Sequence, residues 1–212
     1  MGLSERLPIR LSHNIKQVRL IARRKQPATT QLYHLPLSFH RNLDRQLYQL
    51  GAEMEALSVP ELNRQVVTRY FQEFWTNGNA DIVDELCDDN VTIFYPMHGR
   101  MVGKTAAKEV IARFKQSFPD VSFRLLSPFP LIAESDYVVA RWFGGGKHTG
   151  PAFYELPVGS LPTPNTGKEM RFSGTTIYRL QNGKIIEETG EESGLVALQQ
   201  LGLIKMNDGF AP

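Results

Sequence analysis

Asn182 and Gly183 stand between two strand-like runs, residues 169–180 and 184–191. An Asn-Gly pair in that setting supplies the two positive-φ residues of a tight primed turn, so the runs pair as an antiparallel hairpin. This constrains the C-terminal half more than any other feature. Further strand-like runs occupy 121–126, 137–143 and 148–156, and the Pro/Gly/Thr-rich segment 157–167 reads as a surface loop between two strands. A last short helical stretch opens at Gly194 and carries Leu195, Leu198 and Leu201.

The preceding segment reads differently. Ser58 followed by Glu61 forms a capping box, with Pro60 in the first turn. Val66, Val67, Tyr70, Phe71, Phe74 and Trp75 then make one broad apolar helical face, which Asn77 and Gly78 terminate. A shorter helix around Ile82, Val83 and Leu86 leads to a strand over 91–95, stopped by Pro96. A third helix spans 106–118, with Val110, Ile111, Phe114 and Phe118 on one face. Helices first and paired strands afterwards make the chain α+β, with helices packed on one face of a curved antiparallel sheet.

A chain of 212 residues with 42% apolar content suffices for one domain and an extension. Residues 1–57 hold nine Arg/Lys against four acids, a net +5, so the total of +2 leaves −3 for residues 58–212. We place the boundary there. Within the extension Leu11, Ile15, Val18 and Ala22 recur at helical spacing among basic residues, the pattern of a partner-covering arm or, alternatively, of a mitochondrial presequence. Elsewhere the near-balanced charge and the lack of Arg/aromatic alternation argue against nucleic acid as a partner. The lone Cys87 excludes an intrachain disulfide, and no apolar run is long enough to span a membrane. A cytoplasmic protein is expected, or a mitochondrial one if the basic start is a targeting segment.

Several motifs fail on spacing. The segment from Gly99 to Thr105 resembles a phosphate loop, but its first glycine is one residue too near. The glycine-rich segment 144–150 lies between strands and reads as a bend or bulge. His13, His34, His40, His98 and His148 lack metal-ligand spacing, so no metal and no cofactor is expected.

The stretches "NRQVVTRYFQEFWTNGNADIVDELCDDNVTIFYP", "FKQSFPDVSFRLL", "VVARWFGGGKHTG" and "TTIYRLQNGKIIEE" resemble, in order and spacing, the SnoaL-like polyketide cyclases of the nuclear transport factor two-like superfamily. The resemblance covers about residues 61–204. It implies a cone in which the curved sheet wraps around helices, an apolar cavity, and a homodimer through the sheet. It also implies acid/base chemistry on a hydrophobic, polyketide-like small molecule: cyclisation, isomerisation or dehydration. Partial desolvation on a cavity wall moves a carboxyl's pKa up and an imidazole's down, both toward neutrality.

The chain departs from that family in its last strand. Where the family carries Glu-His-Trp, then an aspartate and a further aspartate, this chain has Glu187, Glu188, Thr189, Gly190 and Ser193. The candidate acid/base groups are therefore Glu187, Glu188 and Glu191, with His148, which matches a family His-x-Gly phrase, and Tyr95 to orient a carbonyl. Strict alternation sends Ile185, Glu187, Thr189 and Glu191 to one side and Ile186, Glu188, Gly190 and Glu192 to the other. The competing reading leaves all four glutamates solvated or paired with Arg171 and Arg179. Trp142 is expected as a cavity wall, and Tyr70, Phe74, Phe114 and Phe118 as core with some cavity lining. A non-catalytic small-molecule-binding or dimerisation module of the same fold is the alternative function.

Overall fold

The computed structural model describes residues 58–129 and 131–205. The expected extension at 1–57, with its arm or targeting segment, lies outside them.

Helix α1 (Val59–Tyr70) starts as the capping box dictates, the Ser58 hydroxyl accepting from the Glu61 N–H at 3.4 Å. The chain then widens into a π-helical turn, Phe71–Thr76, closed by the Asn77 N–H donating to the Gln72 carbonyl at 3.0 Å. Gly78, at φ +70°, ends the element. There follow α2 (Ile82–Leu86), β1 (Cys87–Tyr95), β2 (Gly99–Val102), α3 (Gly103–Ser117), β3 (Ser122–Leu125), β4 (Ile132–Glu134), β5 (Tyr137–Lys147), β6 (Glu169–Gln181), β7 (Lys184–Glu192) and α4 (Gly194–Gln200). The would-be phosphate-loop segment is thus strand β2 running into α3.

The strands form one mixed, mostly antiparallel sheet in the order β2-β1-β7-β6-β5-β3, with β4 also paired to β5. Only β1 and β7 run parallel. Asn182 and Gly183 take φ +52° and +74° and close the β6–β7 hairpin with Gln181 opposite Lys184, the predicted turn. One buried aromatic core fills the space between sheet and helices, with Tyr70, Phe71, Phe74, Phe114, Phe118 and Tyr178 almost completely hidden.

Two expectations need correction. The strand expected at 148–156 does not form: β5 continues through Gly144, Gly145 and Gly146 to Lys147, and 148–168 is loop apart from a bridge between Phe153 and Leu161. The glycines explain why. A Cβ on Gly144 would stand 2.3 Å from the Ser122 carbonyl oxygen, and one on Gly145 would stand 2.0 Å from that of Met170. Without side chains the strand curves between β3 and β6 where any other residue would collide.

The second correction is to alternation in β7. Arg179 pairs with Glu187 but Leu180 pairs with Ile185, so Ile186 is the extra residue of a β-bulge. Consequently Ile185 faces the core together with Glu188 and Gly190, which strict alternation had put on the opposite side.

Candidate active site

Glu188 has no exposed surface, and its environment is assembled from four elements. From α1 and its π-turn, the Tyr70 hydroxyl donates to Oε2 at 2.8 Å and the Trp75 indole N–H donates to Oε1 at 2.7 Å. Five residues on a regular α-helix lie about 140° apart, too far to serve one carboxyl. The π-turn after Tyr70 narrows that angle, and both donors reach Glu188. From the end of β1 the Tyr95 hydroxyl donates to Oε1 at 2.6 Å, while Tyr178, directly opposite on β6, approaches at 3.5 Å.

A second layer sets the direction of these bonds. Trp142 reaches across β6 because Gly174 is bare; a Cβ there would stand 2.3 Å from the indole. Its N–H donates to Thr176 Oγ1 at 2.8 Å, and Thr176 lies 2.9 Å from Tyr95 Oη. An indole can only donate, so Thr176 accepts from Trp142 and passes its own hydroxyl proton to Tyr95, which passes its own to Glu188. Every partner therefore delivers a proton toward the carboxylate. None carries a positive charge, and burial outweighs these bonds, pushing the Glu188 pKa up. Burial, together with the charge of Glu188, holds Tyr70, Tyr95 and Tyr178 well above the ordinary phenol range, so they remain donors.

Tyr95 also faces a small cavity lined by Phe71, Trp75, His98, Phe123, Trp142, Phe172 and Glu192. Its volume of about 20 Å³ is room for roughly one water. Glu188 sits behind the Tyr95 and Trp75 wall. The tight turn after β1 and the end of β7 dock against each other here because Gly190 has no side chain: a Cβ would lie 2.0 Å from Tyr95 Cε1. The Met97 N–H donates to Glu192 Oε1 at 2.8 Å. Burial pushes the Glu192 carboxyl up to about 7, opposed by the Met97 N–H and reinforced by Glu191. Burial pushes His98 down to about 4.

Apart from Trp142, the other sequence candidates lie away from this cavity. Glu187 sits on the outer face, 3.3 Å from the Arg179 guanidinium, and Glu191 is exposed. His148 is fully buried, with Nε2 2.6 Å from the Pro151 carbonyl and Nδ1 2.9 Å from the Thr166 hydroxyl. Both ring nitrogens tie down the 148–168 loop, and the ring packs 5.2 Å from Phe118. Phe74, Phe114 and Phe118 are core, and Tyr70 meets Glu188 rather than the cavity. Trp142 does line it. His98 and Glu192 were not among the candidates, although Glu192 shares the parity of Glu188 and His98 lies three residues beyond Tyr95 across a turn. Among the described residues no cluster of three or more His, Cys, Asp or Glu is arranged to hold a metal.

The SnoaL-like polyketide cyclase family model matches residues 65–201, more than half of the chain. The chain belongs to this family. Among solved structures, this family member is similar to a protein from Jannaschia sp. CCS1 described as a SnoaL-like polyketide cyclase, at 20% identity and a TM-score of 0.57 over 70% of this chain and 97% of that one. A protein from Acidithiobacillus ferrooxidans described as a polyketide cyclase is 25% identical, with a TM-score of 0.54 over 69% and 98% of the two chains. TsrD from Streptomyces laurentii gives 20% identity and a TM-score of 0.55 over 70% and 99%. A comparison with curated proteins gives no match. No helix among the described residues is long and apolar enough to cross a membrane.

Proposed function

We propose that this SnoaL-family protein is a cofactor-independent acid/base enzyme, of cyclase, isomerase or dehydratase type, acting on an apolar molecule with an enolisable ketone. The observation that carries this reading is Glu188: a carboxyl with no exposed surface and no cation, joined through the Tyr95 hydroxyl to the wall of a cavity. An uncompensated buried carboxylate costs stability, and such groups concentrate at functional sites.

The orientation of the network defines the proton's route. While Glu188 is ionised, the proton of Tyr95 points at Glu188 and the Thr176 hydroxyl donates to Tyr95 Oη, so Tyr95 meets a substrate only through its remaining lone pair. The substrate C–H bond breaks as its proton moves to Tyr95 Oη, the Tyr95 O–H proton moves to Glu188 Oε1, and the electron pair stays on the substrate as an enolate. The raised pKa of Glu188 brings it nearer to that of a competent base at neutral pH.

The test is deuterium incorporation at the α-carbon of 2-tetralone in D2O, followed by NMR. Wild type accelerates the exchange, and Glu188→Gln, which keeps the shape but cannot accept the proton, lowers the rate about 10²-fold or more. Wild-type exchange no faster than buffer ends this reading. The size of the cavity, about 20 Å³, favours the second reading: a non-catalytic module that kept the cone and filled it. In that case 2-tetralone neither binds nor exchanges.

The same family resemblance supports a homodimer through the outer sheet face. There Phe94, Thr189, Ile177, Val139 and Ile132 stand opposite one another across five strands, and Phe94, Ile177 and Ile132 are exposed. Sedimentation equilibrium of wild type against Ile177→Lys checks it; a monomeric wild type removes the proposal.

A further inference from the structure

A void of about 20 Å³ holds about one water, so an apolar molecule approaches Tyr95 only if protein atoms leave the core. The segment between β5 and β6 is attached in a way that lets it leave. Residues 148–168 are the longest connection without helix or strand among the described residues. Irregular connections of that length in compact domains are commonly lids over binding sites.

The neck of this segment is rigid. The His148 N–H donates to the Lys168 carbonyl at 2.8 Å, the Gly167 N–H to the His148 carbonyl at 3.0 Å, and the Asn165 N–H to the Gly150 carbonyl at 2.9 Å. The His148 ring clamps both sides, since Nε2 donates to the Pro151 carbonyl and Nδ1 accepts from the Thr166 hydroxyl. Gly150 seats the neck on the end of α3, where its N–H donates to the Ser117 carbonyl at 3.0 Å. A Cβ at Gly150 would stand 1.9 Å from the Gln116 carbonyl oxygen, so only glycine can dock so closely.

Beyond the neck the attachment changes in kind. Residues 151–164 make two backbone–backbone hydrogen bonds, both internal, between Phe153 and Leu161 at 2.9 and 2.8 Å. None joins them to the rest of the described residues. Glu155 pairs with Arg113 on α3 at 2.5 Å, but the two side chains are 39% and 46% exposed and solvent screens them. The remaining hold is apolar: Phe153 and Leu161 are almost completely buried, Leu156 is partly buried, and Gly159 at the tip lies beside Leu203. Apolar burial is non-directional, so another apolar body can replace it. Segments held by few hydrogen bonds are the ones that open ahead of the whole fold.

Phe153 stands one ring away from the void. Its centroid is 5.4 Å from that of Phe118 and 5.9 Å from that of Phe114. Phe114 in turn lies 5.2 Å from His98 and 6.2 Å from Phe123, both of which line the void. Once Phe153 is withdrawn, Phe114 is the partition between the vacated space and the void beside Tyr95.

We propose that residues 151–164 are a lid carried on the His148 neck, and that Phe153 and Leu161 fill, in the empty protein, the place that an apolar ligand takes when the lid lifts. The ligand class is a neutral body of one or two fused rings, which replaces the two withdrawn side chains and packs on Phe114 and Phe118. The lid rests on the part of the proposed function in which the protein takes an apolar small molecule, and it supplies the room that the closed core lacks.

The experiment uses the full chain carrying Leu161→Cys, alkylated with iodoacetamide in the absence of denaturant, with each site followed by mass spectrometry. Cys87, buried at the start of β1, is the internal reference for opening of the whole fold. Any loss of overall stability raises both rates, so their ratio reports the lid. The thiol introduced by Leu161→Cys should react about 10²-fold faster than Cys87 or more. Saturating naphthalene or 2-tetralone should raise its rate about threefold or more, because the ligand displaces that position outward. Glu155→Lys, which sets like charge against Arg113, should speed naphthalene association about threefold at an unchanged urea midpoint. Equal alkylation of the two thiols overturns the lid, because the segment then opens only with the whole fold. Fast alkylation that neither probe changes overturns it as well. Naphthalene has no carbonyl and separates the two readings. Naphthalene-dependent alkylation without deuterium exchange of 2-tetralone ends the acid/base reading and leaves the lid standing. Exchange of 2-tetralone with equal alkylation of the two thiols ends the lid and leaves the acid/base reading standing.

Discussion

The two faces of β7 carry glutamates under opposite physical conditions. On the outer face Glu187 and Arg179 make an ion pair whose side chains are 44% and 46% exposed, and Glu191 is exposed. On the inner face Glu188 has no exposure and is held by neutral donors alone, and the half-buried Glu192 is held by one backbone N–H. Identical side chains within six residues thus differ in solvation, partners and proton affinity. Solvent screens the outer pair, leaving it worth little. Inside, each donor matters because nothing replaces it.

The contrast breaks most visibly with Glu188→Ala. Three close donors, Tyr70, Trp75 and Tyr95, lose their acceptor around a new void, and urea unfolding should show a loss of about 3–5 kcal/mol. Glu188→Gln should stay within about 1 kcal/mol of wild type at neutral pH. Its amide oxygen can serve Trp75 and Tyr95, its NH2 can donate to a rotated Tyr70 hydroxyl, and the buried charge is gone. Equal losses in the two variants would mean that the charge, rather than the acceptor geometry, organises the core.

Gly190→Ala tests the docking of the turn onto β7. Its Cβ would stand 2.0 Å from Tyr95 Cε1, so Tyr95 must move, at a cost of about 1–3 kcal/mol in the same measurement.

Glu192 sharpens the contrast through pH. Its folded pKa of about 7 lies above the ordinary 4.5, so the folded state binds more protons across that interval and stability falls as pH rises through it. His98 has the opposite sign: its pKa drops from 6.5 to about 4, so its contribution is lost as pH falls through that window. Denaturant midpoints followed against pH should lose the decline in Glu192→Gln, an effect on the order of 1 kcal/mol for a partly exposed group. The smallest effects belong outside: Glu187→Gln and Glu191→Gln should each change stability by less than about 0.5 kcal/mol. A larger change at Glu187 would show that the Arg179 pair is more than a screened surface contact.

Much of the architecture was legible because its signals are local. Ser58 with Glu61, Asn77 with Gly78, and Asn182 with Gly183 each act within a few residues, and the helices and the hairpin follow from them. The strand through Gly144–Gly146 was misread as a bend because bare glycines signal a turn when taken alone. Only the nearness of Ser122 and Met170, distant in sequence, shows that they permit close strand packing. The site was legible in part: Tyr95 and Glu188 were candidates and lie 2.6 Å apart, and Trp142 was expected at the cavity that it lines. His98 and Glu192 were named in the sequence but not chosen as site residues, because a histidine in a turn and the last of a run of glutamates look solvated.

The amino-acid sequence by itself determined the main helices, most of the longer strands, the closing hairpin and the family, since these depend on short-range chemistry and on periodicity; it did not show the short strands β2 and β4 or the run of β5 through Gly144–Gly146. Which glutamate is buried was decided only by the tertiary structure. Alternation is a rule of regular strands, and one extra residue at Ile186 reverses it for everything upstream in β7. The space that Tyr95 occupies over Gly190, and the indoles that converge on Glu188 and Thr176, come from segments some 30 to 110 residues away. Their meeting is a property of the packed core, which no local pattern encodes.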